Sequence, residues 1–336
     1  MGSRKAKTKA AVGGTAATVF LAFITFASLS VSVPASAAPP FPSKPIQIVV
    51  PYQPGGPSDI APRIMTKKLS ALLGQSVVVV NKPGGGTAIG IQSVLAAPAD
   101  GYTVLSGELS IVTLPLVTKN VGYTLKDLIP FHIPTSAPLS LIVRKDAPWK
   151  TMEELIADAR KNPGKLSYST AGPGSIARFT GELFQMATQT HLTQVPMNGA
   201  PPAVTAVLGG HVNMSFIGFQ AIRSFIEDGS LRALAVMYNK RLKEYPDIPT
   251  AAEKGYQRIQ SAVWTGNYVP AKTPPEVVKK LANAFHAAMQ DKEVIDLCEK
   301  AGFVIENMNR EESVKFVAEE ERKWSEVAKA ANIMPK

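Results

Sequence analysis

Two glycine-rich turns carry the most legible chemistry in this chain. The first lies in Gln47-Ile48-Val49-Val50-Pro51-Tyr52-Gln53-Pro54-Gly55-Gly56-Pro57-Ser58-Asp59. The second, about 120 residues on, lies in Lys165-Leu166-Ser167-Tyr168-Ser169-Thr170-Ala171-Gly172-Pro173-Gly174-Ser175. In each, an apolar or alternating run enters a Gly/Pro/Ser turn and a helix-like stretch follows. A helix start presents unpaired N–H groups and a partial positive charge, so it can hold an anion without a lysine. Two such starts suggest a small anion held between two similar halves. The other reading is a pair of ordinary strand-to-helix turns, and spacing alone does not choose between them.

Other chemistries are not readable. Ser106, Ser169 and Ser175 sit at strand or helix ends, but no histidine lies beside them to act as a base. The histidines at 132, 191, 211 and 286 lack metal-type spacing. Cys298 is the single cysteine, so no intrachain disulfide can form, and its amphipathic surroundings predict a buried helix residue. Pro83-Gly84-Gly85-Gly86 fails the dinucleotide pattern because position 89 is Ile, and no P-loop lysine follows.

The N-terminus reads as a secretory signal. Arg4, Lys5, Lys7 and Lys9 precede the apolar run around Val19-Phe20-Leu21-Ala22-Phe23-Ile24, and Ala35-Ser36-Ala37 fits a cleavage site. Ser28, Ser30, Ser32 and Pro34 shorten that run below the ~20 residues of a membrane span. Removing residues 1–37 leaves 299 of 336 residues, enough for two domains. It also takes four positive charges from the net +10, leaving about +6, a weak bias toward anionic ligands. The short clusters Lys67-Lys68 and Lys279-Lys280 read as solvated helix faces, and no nucleic-acid surface is expected.

The elements that must position the turns alternate. Strands are expected at Ile46 to Val50, Ser76 to Asn81 and Tyr102 to Leu105, with helices Asp59 to Leu73 and Ala88 to Ala97 between them. If Ser58 caps the first helix, Pro62 falls in its first turn, where no hydrogen bond is lost. Leu139 to Val143 is a strand entering a second unit, followed by a helix that opens on Thr151-Met152-Glu153-Glu154, a capping box. Strands Leu166 to Ser169, Thr193 to Val195, Val212 to Phe216 and Leu231 to Val236 then alternate with helices Ile176 to Gln189, Pro202 to Leu208 and Phe219 to Asp228. Val263 to Val269 leads back, and helix Glu276 to Met289 opens a largely helical remainder. The fold class is α/β, with parallel strands and right-handed crossovers. Domain 1 is expected at 38–140 and 250–336, domain 2 at 141–249. Two crossings suit a hinge that closes over a ligand at the carboxyl ends of the strands. Trp264 and Phe216 read as core residues or as cleft walls.

Several stretches in this order resemble the extracytoplasmic solute receptors of tripartite tricarboxylate transporters, the Bug or TctC family. They are Pro51 to Asp59, Asn81-Lys82-Pro83-Gly84, Pro98-Ala99-Asp100-Gly101-Tyr102-Thr103-Val104-Leu105, and Asn162-Pro163-Gly164-Lys165-Leu166-Ser167-Tyr168. Gly172-Pro173-Gly174-Ser175, Leu208-Gly209-Gly210 and Pro246-Asp247-Ile248-Pro249-Thr250 complete the set. The resemblance implies a periplasmic-binding-protein fold with a ligand cleft between two domains. It implies capture of a small carboxylate without catalysis or cofactor, and delivery to a membrane permease. A monomer is expected. Carried over by residue, the first-domain grip falls on Tyr52, Gly55, Gly56, Ser58, Asp59 and Ser106. The second falls on Ser169, Thr170, Ala171, Gly174 and Ser175, with Asn198, Gly199 and Ala200 nearby. Asp59, at a helix start, is expected to cap or support rather than touch an anion.

Three departures concern the ligand. Met197-Asn198 stands where the family usually has Tyr-Lys, Arg178 where a histidine is common, and Asn213 where an aspartate is frequent. Losing a carboxylate at 213 and gaining a cation at 178 would favour a more anionic ligand. Arg178 could pair bidentately with a carboxylate or face solvent. Two other functions stand beside the receptor: a ligand-loaded sensor subunit for a membrane histidine kinase, and a periplasmic enzyme.

Overall fold

The computed structural model describes residues 40–172, 174–197 and 199–335. The expected signal segment, Pro173 and Asn198 lie outside the described residues.

The chain opens with β1 (Ile46–Val50), α1 (Pro57–Leu73), β2 (Val77–Asn81), α2 (Ala88–Leu95), β3 (Thr103–Glu108) and α3 (Ser110–Val117). β1 coincides with its expected range: Ile46, Ile48, Val49 and Val50 are buried, and Gln47 is its one exposed residue. β2 and β3 pair with it in parallel, on either side. The N-cap of α1 is Gly56 with Pro57 at the first helical position, so the expected Ser58 cap is not found. Pro62 therefore sits inside the helix and not in its first turn. Gly74, in the left-handed region, ends α1.

β4 (Leu128–Arg144) is much longer than the expected Leu139 to Val143 and organises the whole sheet. Its first part, residues 128–138, lies antiparallel to β9 (Ala262–Pro270), and residues 133–136 also pair β10 (Val304–Met308). Its last part, residues 139–144, lies antiparallel to β7 (Met214–Gly218) on one side and β8 (Leu231–Val236) on the other. The exchange of partners falls where three backbone segments meet. Leu139 N–H donates to Ser261 O (3.0 Å), Ser261 N–H to Met237 O (2.8 Å), and Met237 N–H to Leu139 O (2.7 Å). The outgoing strand and the returning chain are thus tied together at one point.

After β4 come α4 (Met152–Lys161), β5 (Ser167–Thr170), α5 (Ile176–Thr188), β6 (Thr193–Pro196), α6 (Ala200–Leu208) and α7 (Arg223–Glu227). The Thr151 hydroxyl accepts from Glu154 N–H (3.2 Å), but Glu154 reaches back to Lys150 N–H, so the expected box closes on one side only. β5 runs parallel to β6 and β7. The expected helix Phe219 to Asp228 is instead a 3-10 turn, Phe219–Ala221, followed by the short α7. The chain closes with α8 (Pro275–Ala288), α9 (Lys292–Lys300) and α10 (Arg310–Ala330). The path through the sheet is β2-β1-β3-β9-β4-β7-β5-β6.

Helices cover this sheet with buried apolar faces. Tyr168, Phe184 and Phe216 pack in one cluster, Trp264, Trp324 and Phe179 in another. Burying each such ring contributes roughly 1.5–3 kcal/mol. Trp264 and Phe216 are therefore core residues and not cleft walls: they are 2% and 0% exposed. The Glu320 carboxylate accepts from both indoles, Trp264 Nε1 (2.9 Å) and Trp324 Nε1 (2.8 Å). Cys298 is buried in α9, and burial pushes its thiol up to about 11. Among the described residues no helix is long and apolar enough to cross a membrane.

Candidate functional site

The first glycine turn joins β1 to α1, and its geometry follows from Gly55. That residue has φ +93°, a conformation costly for any side-chain-bearing residue, and a Cβ there would meet nothing within 4 Å. The twist brings Gly55 N–H onto the Asp59 carboxylate (2.9 Å). Asp59 is further held by Arg63 (2.8 Å) and Asn81 Nδ2 (2.9 Å). Burial pushes its pKa up, but these donors outweigh it and hold it below the usual carboxylate range. Asp59 thus braces the turn. Asn81 completes the brace by donating to Tyr52 O (3.1 Å).

The end of β3 faces this turn. Ser106 is buried and paired in register with Asn267. Two residues on, Glu108 reaches across to the start of α1, where its Oε1 accepts from Ser58 N–H (3.3 Å). The Ser58 hydroxyl is wholly buried and closes no hydrogen bond, although it lies near enough to influence the same carboxylate. Burial dominates at Glu108 and raises its pKa to about 7, against the opposing pull of Ser58. Tyr52 bonds through its hydroxyl to Ser110 Oγ, the first residue of α3. Burial, and then the Glu108 charge, hold the Tyr52 hydroxyl well above its ordinary range.

The second glycine turn joins β5 to α5. Ser169 and Thr170, at the end of β5, are fully buried and engaged within the protein. Ser169 Oγ donates to Ala203 O (2.9 Å), and Thr170 Oγ1 accepts from Gln194 Nε2 (3.1 Å). Ala171 is half-buried at the mouth of the turn. Ser175 is the N-cap of α5, and its N–H and hydroxyl both donate to Gly172 O (3.2 and 2.7 Å). Gly199, with φ +108°, is the N-cap of α6, and Ala200 is that helix's first residue. Pro201 and Pro202 follow, so two of the N–H groups a helix start normally offers are missing there.

Both turns converge on α3. Tyr52 meets Ser110, and one helical turn along, the Thr113 hydroxyl donates to Gly174 O (2.7 Å). A Cβ on Gly174 would lie 3.2 Å from Leu114 Cα. The glycine is thus required by close packing of the protein on itself, and its φ is not in the left-handed region. Ser110 and Leu114 are four residues apart on one helix, about 6 Å of rise. The two turns therefore meet the same short helix about one turn apart.

Two expectations about ligand charge change. Asn213 lies at the amino end of β5, where its Oδ1 accepts from Ser167 N–H (2.8 Å), so it registers a strand and is remote from both turns. Arg178 is half-buried, and its charge acts on Glu182, one turn further along α5, and on Tyr168. It is not a side chain simply turned out to solvent. Sequence reasoning missed Glu108, Ser110 and Thr113. The signal available was a carboxylate two residues beyond a strand end already nominated at Ser106.

A family model described as the tripartite tricarboxylate transporter family receptor matches residues 61–333. Protein BugT of Bordetella pertussis is 32% identical over 309 residues, covering 91% of this chain and 94% of BugT. Among solved structures, R. palustris Rpa4515 with adipate aligns with a TM-score of 0.81 at 30% identity, covering 88% of this chain and all of that one. MatC from Rhodopseudomonas palustris with bound malate aligns with a TM-score of 0.76 at 27% identity, covering 85% and 99%. The periplasmic-binding-protein fold that the family resemblance implied is the fold found, and the relatives are solute receptors rather than enzymes. This chain belongs to the tripartite tricarboxylate transporter receptor family.

Proposed function

We propose that this chain is a periplasmic receptor that captures a small carboxylic acid between its two glycine turns and presents it to the membrane permease of a tripartite transporter. The observation that carries the reading is the convergence of both turns on α3, Tyr52 on Ser110 and Gly174 on Thr113. The acid is placed in a gap between the starts of α1 and α5, which meet the same helix and, as helix starts, are suited to acids. Adipate and malate in two structural relatives are acids of this size. Tyr52, Gly55, Gly56, Ser58 and Ser106 form one wall. Ala171, Gly174 and Ser175 form the other, with Arg178, Gly199 and Ala200 at its edge. The domain division follows the partner exchange of β4: residues 38–140 with 250–336 make one half, 141–249 the other. The tie between Leu139, Met237 and Ser261 is where a hinge between them would bend.

A thermal-shift screen of residues 38–336 against mono-, di- and tricarboxylates, aromatic acids and amino acids tests this. A ligand that binds only the folded state at 100 times its dissociation constant adds about 2.7 kcal/mol, which raises the melting temperature by several degrees. A clear shift with one acid class supports the receptor reading. No shift with any acid, and no acid released from denatured protein in mass spectrometry, overturns it. Delivery to a permease is tested by uptake of the same labelled acid in cells lacking the receptor, where the reading expects uptake to be lost.

A further inference from the structure

The first glycine turn already has a carboxylate at its helix start, and that carboxylate belongs to the protein. Glu108 Oε1 accepts from Ser58 N–H. The remaining N–H groups of the turn are largely committed. Gly55 N–H is on Asp59, Asp59 and Ile60 N–H are on Gly56 O, and Pro57 has none. A second carboxylate arriving here would meet Glu108 at close range with few donors left to share. The opposite wall is different: among the described residues no acidic side chain bonds to the Gly172-Gly174-Ser175 turn, and although Ser175 N–H and hydroxyl are both on Gly172 O, the N–H groups of Ile176 and Ala177 at the start of α5 are donors of the kind a helix start leaves over. The two ends of the gap are therefore unlike. One is acidic and accepts, the other donates.

We infer that Glu108 sets ligand class, by receiving the ammonium group of an amino acid or amino-carboxylic acid whose carboxylate is held at the second turn. This rests on the receptor reading above and narrows it. Glu108 is half-buried, and the wholly buried Ser58 hydroxyl that closes no hydrogen bond beside it is available to steady its carboxylate. The ionisable groups on the adjoining wall are Tyr52, near Tyr123, whose hydroxyls burial holds above their ordinary range, and Asp59, which is paired with Arg63. Thr265, opposite Glu108 in the register with β9, brings no charge. An ammonium is thus the complement this end lacks. It also favours the ionised form of a carboxyl whose pKa burial raises to about 7.

Calorimetric titration of succinate against 4-aminobutanoate, of glutarate against 5-aminopentanoate, and of the twenty amino acids, at pH 6, 7 and 8, decides the matter. The amino acids are expected to bind more tightly than the matched dicarboxylates. Their affinity should rise about tenfold from pH 6 to pH 8, with proton release at pH 7 seen as a dependence of the heat on buffer ionisation. Glu108→Gln should abolish the proton release and weaken the amino acids at least tenfold. Dicarboxylates that bind more tightly, with affinity falling from pH 6 to pH 8, would overturn the inference while leaving the receptor reading intact. Amino-acid binding without proton release in the native protein would overturn it with no variant needed. No binding by either class would overturn the inference, while the receptor reading would stand or fall by the wider acid screen.

Discussion

Glu108 also makes a prediction about stability that needs no ligand. Burial raises its pKa to about 7 in the folded protein from an ordinary value of 4.5. A group whose folded pKa is raised binds its proton more tightly when native. The stability it contributes is therefore full below about pH 4.5 and is lost as pH rises through 7. Between pH 5 and pH 8 the two titration curves separate by about 2.5 kcal/mol. Glu108→Gln keeps the shape of the side chain and cannot ionise. Urea unfolding of both proteins at pH 5, 6, 7 and 8 should show the variant gaining on the native protein by about 2.5 kcal/mol across that range, with most of the change between pH 5 and 7. Parallel stability profiles would mean that Glu108 ionises as freely in the fold as in the unfolded chain, and that its placement against Ser58 is wrong.

Three further outcomes follow from single side chains. Thr113→Val removes the buried hydroxyl that joins α3 to the second turn and leaves Gly174 O unpaired. Chemical denaturation should show a loss of about 1–2 kcal/mol, and calorimetry a weaker ligand. Gly55→Ala meets no steric obstacle but must hold φ near +93°, which costs about 1–2 kcal/mol; a thermal melt a few degrees lower with a larger loss of ligand affinity is expected. Glu320→Ala strips two buried indole N–H groups of their acceptor, so unfolding should become easier by about 2–4 kcal/mol, with a change in tryptophan fluorescence.

Much of the fold was legible because buried strands and glycine turns write themselves locally. Ile46–Val50, parallel to its neighbours, and Leu231–Val236, antiparallel to β4, are mostly apolar segments interrupted only by Gln47 and Arg232, and their limits coincide with the observed strands. β4 was not legible at its true length. Pro130, Pro134 and Pro138 interrupt its pattern, and the strand absorbs them with register shifts around His132 that only the neighbouring strands reveal. β10 escaped for a different reason: it is half-buried throughout and carries Asn307 at positive φ, so it has neither period nor apolar run.

The site divides the same way. The two turns announced themselves through glycine. α3 did not, because Ser110-Ile111-Val112-Thr113-Leu114-Pro115 has no amphipathic period and its polar residues acquire roles only through contacts with distant turns. Asn213 illustrates the converse. A departure that looked like a change of ligand charge is a strand-end bracket, since sequence position beside a Gly-Gly turn does not say which end of the strand it occupies.

The most direct test is a crystal structure of the protein with the acid that most raises its melting temperature. The account predicts one bound molecule lying between the two turns, its carboxylate within hydrogen-bonding distance of the Gly174–Ser175 backbone and its other end at Glu108 and Ser58. An acid bound away from both turns, for example in the surface groove of Leu72, Leu73, Lys280 and Asn283, would contradict it.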